Sequence, residues 1–440
     1  MTEAFLSYVW QYGLFDIQNL QTNSGETVTI LSRGVLNRQS GPDFFDARIQ
    51  IGDTLWAGNV ELHVRSSDWL KHEHQKDPTY DNVILHVVNE SDVELPSPSV
   101  DSPLPCLSLQ GRIAPHLFRT YNYLQHSQEW IPCRNHWNKV DPFILSSWLN
   151  RLLVERLEEK VIPVIQQLQQ NYYHWETTFY QLLARAFGSK FNATPFEQVA
   201  RSLPMQILAK HKNNLLQLEA LLFGQAGLLH DHFEEEYPEQ LYQEYTFLQK
   251  KYQLRPLNPA SWKFGGLRPP NFPTLRLAQF SMLIHQSKQL FSRIIEAENL
   301  SDIITLLETS PSDYWTTHYI LDKPSAARPK NLGPDILHSI VINTVVPILF
   351  AYAQERGQPE LKDRALQFLE QAPPEKNSIV EGWRQMRVTA HNAFDSQALL
   401  QLKNQYCETR RCLSCAICHQ ILQPEENNTS TPQNLMDKEK

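Results

Sequence analysis

A chain of 440 residues with 41% hydrophobic and 20% charged residues has the length for two or three domains and the composition of an ordered globular protein. Its net charge of −8 excludes a globally basic nucleic-acid binder, although 40 lysines and arginines leave room for a local basic channel. Six cysteines are too few for a disulfide scaffold. The opening Met1-Thr-Glu-Ala-Phe-Leu lacks a basic and then apolar leader pattern. The most apolar later run, 336–351, is interrupted by His338, Asn343, Thr344 and Pro347 and is read as too short for a bilayer. The expectation is a cytoplasmic protein with no membrane partner.

Phe5, Val9 and Tyr12 recur at helical spacing and predict an amphipathic first helix over 4–14. Thr27 to Leu31 reads as a strand and Gly34 to Ser40 as a polar connection. Gly41-Pro42 reads as a turn that delivers Asp43 to an alternating run through Ala47, Ile49 and Ile51. Strands are predicted over 46–51, 54–65 and 83–88. In the second of these, Val60, Leu62 and Val64 share the core side, while Asn59, Glu61, His63 and Arg65 share the other. Val83 to Val88 is apolar without alternation, as a strand buried on both faces requires. Asp68 to His74 reads as a helix or long loop, the prolines of 94–105 as a loop, and 107–109 as a closing strand. After about residue 140 the period changes: Leu149, Leu152, Leu153, Leu157 and Val161 begin a succession of helices broken at Arg255–Pro273 and Lys323–Pro334. The expected class is α+β: an α/β sheet domain over 1–140, a mostly helical domain over 141–422 that ends in a cysteine cluster, and a disordered tail over 423–440.

Asp43, Glu61 and His63 carry the strongest chemical signal. An acid entering one strand and an acid-x-His triplet on the next set two carboxylates side by side, an arrangement that holds Mg²⁺ or Mn²⁺ for phosphodiester hydrolysis. The bland reading is an aspartate in a turn beside a polar strand face. Gly333-Pro-Asp335, which no acid-x-His strand follows, shows how little the tripeptide carries alone. His63, His72, His74 and His86 fall within 24 residues, and imidazole suits Zn, Fe or Mn. His63 is the expected participant. Asp68, His72 and His74 are expected in supporting positions, because a helix over 68–74 puts Asp68 and His72 on one face and aims His74 elsewhere. His86, inside an apolar strand, reads as a hydrogen-bonded core residue. At the far end, Cys407-x₄-Cys412-x₂-Cys415-x₂-Cys418 packs four of six cysteines into twelve residues, a density that points to zinc or an iron–sulfur cluster rather than to scattered reduced thiols.

The arrangement of Pro42-Asp43 and Glu61-Leu62-His63 resembles the PD-(D/E)XK, or restriction-endonuclease-like, nuclease superfamily. That resemblance implies a metal-dependent nuclease, with Glu3 on the first helix as a third acid and nucleic acid, DNA ahead of RNA, as substrate. The chain departs from the pattern at His63, where the superfamily has Lys, exchanging a fixed positive charge for an imidazole that can ligate metal or take a proton. Some nucleases of this superfamily hold a 4Fe–4S cluster with one remote cysteine and three near the C-terminus. This resemblance makes Cys133 a candidate beside Cys407, Cys412 and Cys415, in place of Cys418, and the spacing chooses neither. The longer pattern, with Ser67-Asp68-Trp69, His72-Glu73-His74 and Val83 to Val88, resembles a bacterial family, domain of unknown function 2851, which brings no activity with it.

Arg65 on the strand, and Arg268, Arg276, Arg328 and Lys330 on two Pro-bearing loops, are candidate phosphate contacts, or else solvated charges on rigid connections. Two rivals to the nuclease reading remain: a non-catalytic module binding a partner or nucleic acid, and a His-based metalloenzyme. The latter requires His63, His72 and His74 to converge.

Overall fold

The computed structural model describes residues 1–96, 103–230 and 232–423, so 424–440 of the expected tail lie outside the described residues. Packing divides the chain into Met1–Trp148 with Lys403–Lys440, and Leu149–Leu402. These boundaries differ from the expected ones at 140 and 422. The cysteine segment belongs with the sheet unit, because its last described helix, Ala416–Leu422, lies against the first helix through a 2.7 Å hydrogen bond between Tyr8 Oη and His419 Nδ1.

In the sheet unit, α1 (Glu3–Tyr12) starts at Thr2, whose hydroxyl accepts the Phe5 amide, and stops at Gly13, where φ is 65°. Phe5, Leu6, Val9 and Trp10 form its buried face, and Phe5 stacks on Tyr121 of α3 (Pro115–His126). The strands are β1 (Val28–Ser32), β2 (Val35–Leu36), β3 (Phe44–Ile51), β4 (Thr54–Arg65), β5 (Val83–Glu90) and β6 (Cys106–Ser108), with α2 (Asp68–Lys71) between β4 and β5. Their order is β1-β3-β4-β5-β6, with β2 beside β3. Pairs up to β3–β4 are antiparallel, while β4–β5 and β5–β6 are parallel. Val83 to Val88 of β5 are all buried, as their unbroken apolar run requires. The polar connection expected over 34–40 contains β2, a strand too short to leave a periodic signal.

The second unit is helical. Among its described residues the strands are the hairpin His318–Ile320 and Lys323–Pro324, which lies at the edge of a predicted break. Its core runs through Leu153, Phe187, Phe223, Leu248, Phe280 and Trp315. The apolar stretch read as too short for a bilayer is part of a continuous helical run, Pro334–Arg356, of 23 residues and mean hydropathy 1.9. By length and composition alone that run could cross a membrane, and 72% of its apolar window is buried inside the unit. Pro347 does not interrupt it because a π-helical turn over Val341–Val345 leads straight into the next helix, at whose start a proline amide is not needed.

A close approach in the sheet falls at Gly58 of β4, where a Cβ would lie 2.5 Å from Ile84 Cγ2 of β5 and 2.7 Å from the Asn82 carbonyl oxygen. Gly58→Ala should therefore destabilise the sheet unit by about 1–3 kcal/mol, measured by chemical denaturation. An unchanged midpoint would contradict this packing.

Candidate functional site

Asp43 is the residue that opens β3. Gly41 turns the chain with φ at 98°, a conformation natural to glycine, and Pro42 fixes the next step. Phe44 pairs with Val60, which sets Asp43 across from Glu61, and a bulge before Ala47, with Asp46 at φ 59°, separates this corner from the regular ladder. Two hydrogen bonds cross between the strands. The Asp43 amide donates to Glu61 Oε2 at 3.0 Å, and the Leu62 amide donates to Asp43 Oδ2 at 3.0 Å. Burial first, and then the Glu61 charge, push the Asp43 carboxyl up to about 7 against the opposing pull of the Leu62 amide. Glu3, in the first turn of α1, faces the same corner from the solvent side. Partial burial raises its carboxyl, and its electrostatic neighbours are His72, Asp68, Glu61 and His74.

The other oxygen of Glu61 faces imidazoles. Glu61 Oε1 lies 3.2 Å from His74 Nε2 and 3.7 Å from His63 Nε2. His63 Nε2 lies 3.0 Å from His72 Nδ1, and one nitrogen from each of His63, His72 and His74 falls within 4.8 Å of the others. His72 and His74 were expected beside the site, with His74 aimed away; they converge with His63 instead. The helix stops at Lys71, and Glu73 adopts φ 59°, so the backbone reverses between the two histidines and brings both rings inward. Burial grades outward, from His63 at 1% exposure through half-buried His74 to exposed His72. The cluster opens on solvent.

His86 is the residue that sequence reasoning left in the core. It is buried there, and its Nε2 lies 2.8 Å from His63 Nδ1. Burial and the neighbouring imidazoles hold His63 down to about 2, and burial and His74 hold His86 down to about 3, so both rings are neutral. When His63 Nδ1 donates to His86, the lone pair of His63 Nε2 is left facing His72 and Glu61. Tyr80 stacks on His74 with centroids 3.9 Å apart, and buried Trp69 sets an edge contact against the same ring. No spacing in the sequence marks Tyr80, which comes from the loop before β5.

The remaining candidates separate. Asp68 accepts the Arg65 amide and pairs with Lys71, which pulls its carboxyl below the ordinary range. Arg65 is exposed, 3.5 Å from Glu90. Arg268 is exposed in the second unit. Arg276 and Lys330 are buried and already engaged, Arg276 by Asn271 and Gln279, and Lys330 by the carbonyl oxygens of Trp315, Thr316 and His318. These two are structural cations rather than phosphate contacts, because Arg276 lies on the buried helix Pro273–Gln286 and Lys330 is turned onto three backbone carbonyls. For Arg328 the structure gives a backbone bond to the Thr316 carbonyl. Cys133, Cys407, Cys412, Cys415 and Cys418 are buried and free of disulfides.

Residues 3–378 match the sequence profile of a family described as Protein of unknown function (DUF2851). No curated protein and no solved structure matches the chain.

What holds the segment bearing His72 and His74 is a clamp after β4. Asp92 accepts the Ser67 amide at 2.9 Å and the Ser67 hydroxyl at 2.8 Å, while Ser66 Oγ accepts the amides of Asp92 and Val93. The Ser67 bonds depress the Asp92 carboxyl to about 2. A depressed carboxyl contributes its stability above the ordinary aspartate range, so the clamp persists at neutral pH and is lost as pH falls through about 2. Asp92→Ala should speed amide exchange over residues 66–76 by roughly ten-fold while leaving β5 protected, as read by hydrogen–deuterium exchange. Equal exchange in both proteins would show that the clamp does not position the histidines.

Proposed function

This chain belongs to the DUF2851 family, whose description carries no activity, so its chemistry rests on its own side chains, and we propose that it is a metal-dependent hydrolase of phosphodiester bonds in nucleic acid. The pairing of the Asp43 and Glu61 carboxylates carries the nuclease reading, while the convergence of His63 Nε2, His72 Nδ1 and His74 Nε2 near Glu61 Oε1, which the rival His-based metalloenzyme requires, supports that enzyme as the second reading.

The donors suit a cation. Their recorded separations of 3.0, 3.2 and 3.7 Å bracket the edge of a tetrahedron with metal bonds of 2.0–2.1 Å, about 3.4 Å. His74 Nε2 is buried 3.2 Å from Glu61 Oε1 without a well-aligned hydrogen bond to it, a geometry that leaves both atoms free to face one cation. Three imidazoles and one carboxylate favour Mn²⁺, Zn²⁺ or Fe²⁺ over Mg²⁺, which prefers oxygen and retained water. This narrows the Mg²⁺-or-Mn²⁺ expectation. Such an ion lowers the pKa of a coordinated water and neutralises charge on a phosphoryl group.

The chain's own groups do the rest. His86 orients His63 from behind. Burial and the Glu61 charge raise the Asp43 carboxyl, so it takes up a proton beside Glu61 more readily than an ordinary aspartate, an effect that a cation held by Glu61 would weaken. Arg65 offers an exposed cation at the end of the same strand. The phosphodiester assignment is supported by the order of the acids: Glu3 on α1, Asp43 opening β3, and Glu61-x-His63 on its neighbour β4, the order of the PD-(D/E)XK resemblance.

The test is cleavage of labelled single- and double-stranded DNA and RNA by the purified full chain with Mn²⁺, Zn²⁺ or Mg²⁺. The expected result is cleavage with Mn²⁺, on DNA ahead of RNA, reduced at least about 100-fold by Glu61→Gln or His72→Ala. His63→Lys restores the superfamily triplet but supplies no lone pair, so metal binding should fall with it. Nucleic-acid binding without cleavage under any of these ions would leave the non-catalytic module, and neither binding nor cleavage would end the proposal.

A further inference from the structure

We propose that the helical unit contains a binding site for a small phosphate monoester, in the cavity lined by Lys160, the corner at residues 188–192 and the π-helical turn Val341–Val345. The proposal is independent of the phosphodiesterase reading, since it concerns other residues and requires no metal.

The cavity has a volume of about 780 Å³, inside the range of roughly 300–1,000 Å³ of small-molecule sites, and its lining lies within Leu149–Leu402. Among the described residues its charged lining is Lys160, Arg185, Lys190 and Arg201 against one carboxylate, Glu197. In a chain of net charge −8 this is a local reversal of sign. Glu197 is already shared, because Arg185 Nη1 donates to one of its oxygens at 2.7 Å and Arg201 Nε to the other at 2.9 Å. A positive excess therefore survives pairing.

Lys160 is the cation that most needs an anion. Its Nζ donates to Asn343 Oδ1 at 2.8 Å and to Gln397 Oε1 at 2.7 Å, two neutral acceptors. The carboxylate behind them, Glu375, accepts the amide nitrogens of the same two side chains, at 2.8 and 2.9 Å. That turns both amide oxygens onto Lys160 and keeps the carboxylate one side chain away. Arg156 Nε shares the Gln397 oxygen at 2.7 Å, so two cations crowd one neutral acceptor. Burial, and then Arg156, push the Lys160 ammonium down to about 7, against the pull of Glu375. An ammonium has three donors, and the two amides use two of them, which leaves one for a ligand.

Two backbone features shape the lining. Ser189 holds φ 50°, a costly conformation for a residue with a Cβ, directly after Gly188, where a Cβ would lie 2.3 Å from the Asn192 carbonyl oxygen. The buried Asn192 side chain pins this corner, donating to the Lys263 carbonyl at 2.9 Å and accepting the Lys263 amide at 2.8 Å. The corner carries Lys190. The π-helical turn supplies Asn343 and Thr344, and such turns are frequent at functional sites.

Charge and size select the ligand. A phosphate monoester carries about −1.5 to −2 charges near neutral pH and offers three acceptor oxygens, which suit Lys160, Lys190 and the remaining donors of Arg185. A bare phosphate would leave most of the cavity empty. Leu182, Ala186 and Pro347 give an organic body an apolar wall, and Gln166 gives it a hydrogen-bonding partner. Nucleotides and sugar phosphates share this chemistry.

The experiment is isothermal titration calorimetry of the full chain, with a chelator present so that the imidazole cluster carries no metal. The probes are adenosine 5′-monophosphate, adenosine, ribose 5-phosphate and inorganic phosphate. The expected result is that one of the two monoesters binds at least about ten-fold tighter than adenosine and inorganic phosphate. Lys160→Gln, Lys190→Gln and Gln166→Glu should each weaken that binding at least about ten-fold, and Lys250→Gln, an exposed lysine outside the lining, should leave it unchanged. Preference for adenosine 5′-monophosphate identifies a nucleotide and preference for ribose 5-phosphate a sugar phosphate, and either supports the site. Lys190 and Gln166 are exposed, so their variants do not depend on the buried network around Lys160. The bound monoester should also protect Lys190 from acylation, read by mass spectrometry. No binding of either monoester, binding no tighter than that of adenosine or inorganic phosphate, or binding unaffected by Lys190→Gln and Gln166→Glu would overturn the proposal.

Discussion

Two backbone amides, donating in opposite directions across the β3–β4 pair, hold the site together. Each serves the carboxylate of the other strand: Asp43 N–H to Glu61, and Leu62 N–H to Asp43. Without them, two buried carboxyl groups at paired positions would repel and lose hydration with nothing in return. With them, one oxygen of Glu61 is fixed on the β3 side and the other is turned toward His63 and His74. The bulge at Asp46 and the turn at Gly41 make this crossing possible, since the regular ladder resumes only at Ala47. The orientation of Glu61 toward the imidazoles and the raised Asp43 carboxyl follow from that corner.

Much of this was legible because strand geometry is periodic. Alternation along 54–65 put Glu61 and His63 on one face, and the unbroken apolar run of 83–88 marked a strand buried on both. What was not legible depends on single backbone conformations. Helical periodicity over 68–74 sends His74 away from His72, whereas one left-handed residue, Glu73, turns both rings inward, and Glu is not a residue whose type announces that conformation. His86 was visible as a histidine in an apolar strand, but its partner was hidden in the parallel register of β5 against β4, which no local pattern encodes. Arg276 and Lys330 show the converse limit: their basic, proline-bearing loops look exposed in sequence, yet backbone carbonyls and amide side chains draw both cations inside.

The packing of the last described residues with the sheet unit was not legible for a related reason. Helix follows helix from residue 140 to the last described residues, and neither break, at 255–273 or 323–334, falls near residue 403, so the return to the sheet unit leaves no mark in the pattern. The dense cysteine run of 407–418 is the unusual feature of that stretch, and nothing in its spacing points back to the sheet. In the sheet unit α1 has a different role at each end. Its first turn presents Glu3 to the carboxylates and imidazoles, and Tyr8 and Tyr12 anchor it to the segment that carries the sulfurs.

The central claim is that the imidazole and carboxylate donors on β4 and the segment after it surround one cation. Anomalous X-ray scattering from crystals of the full chain soaked in Mn²⁺ or Zn²⁺ tests it most directly. The account predicts a peak about 2.0–2.3 Å from Glu61 Oε1, His63 Nε2, His72 Nδ1 and His74 Nε2, with Asp43 close by. Crystals that take up the ion elsewhere, with His63 and His72 still hydrogen-bonded ring to ring and no density between them, would contradict it.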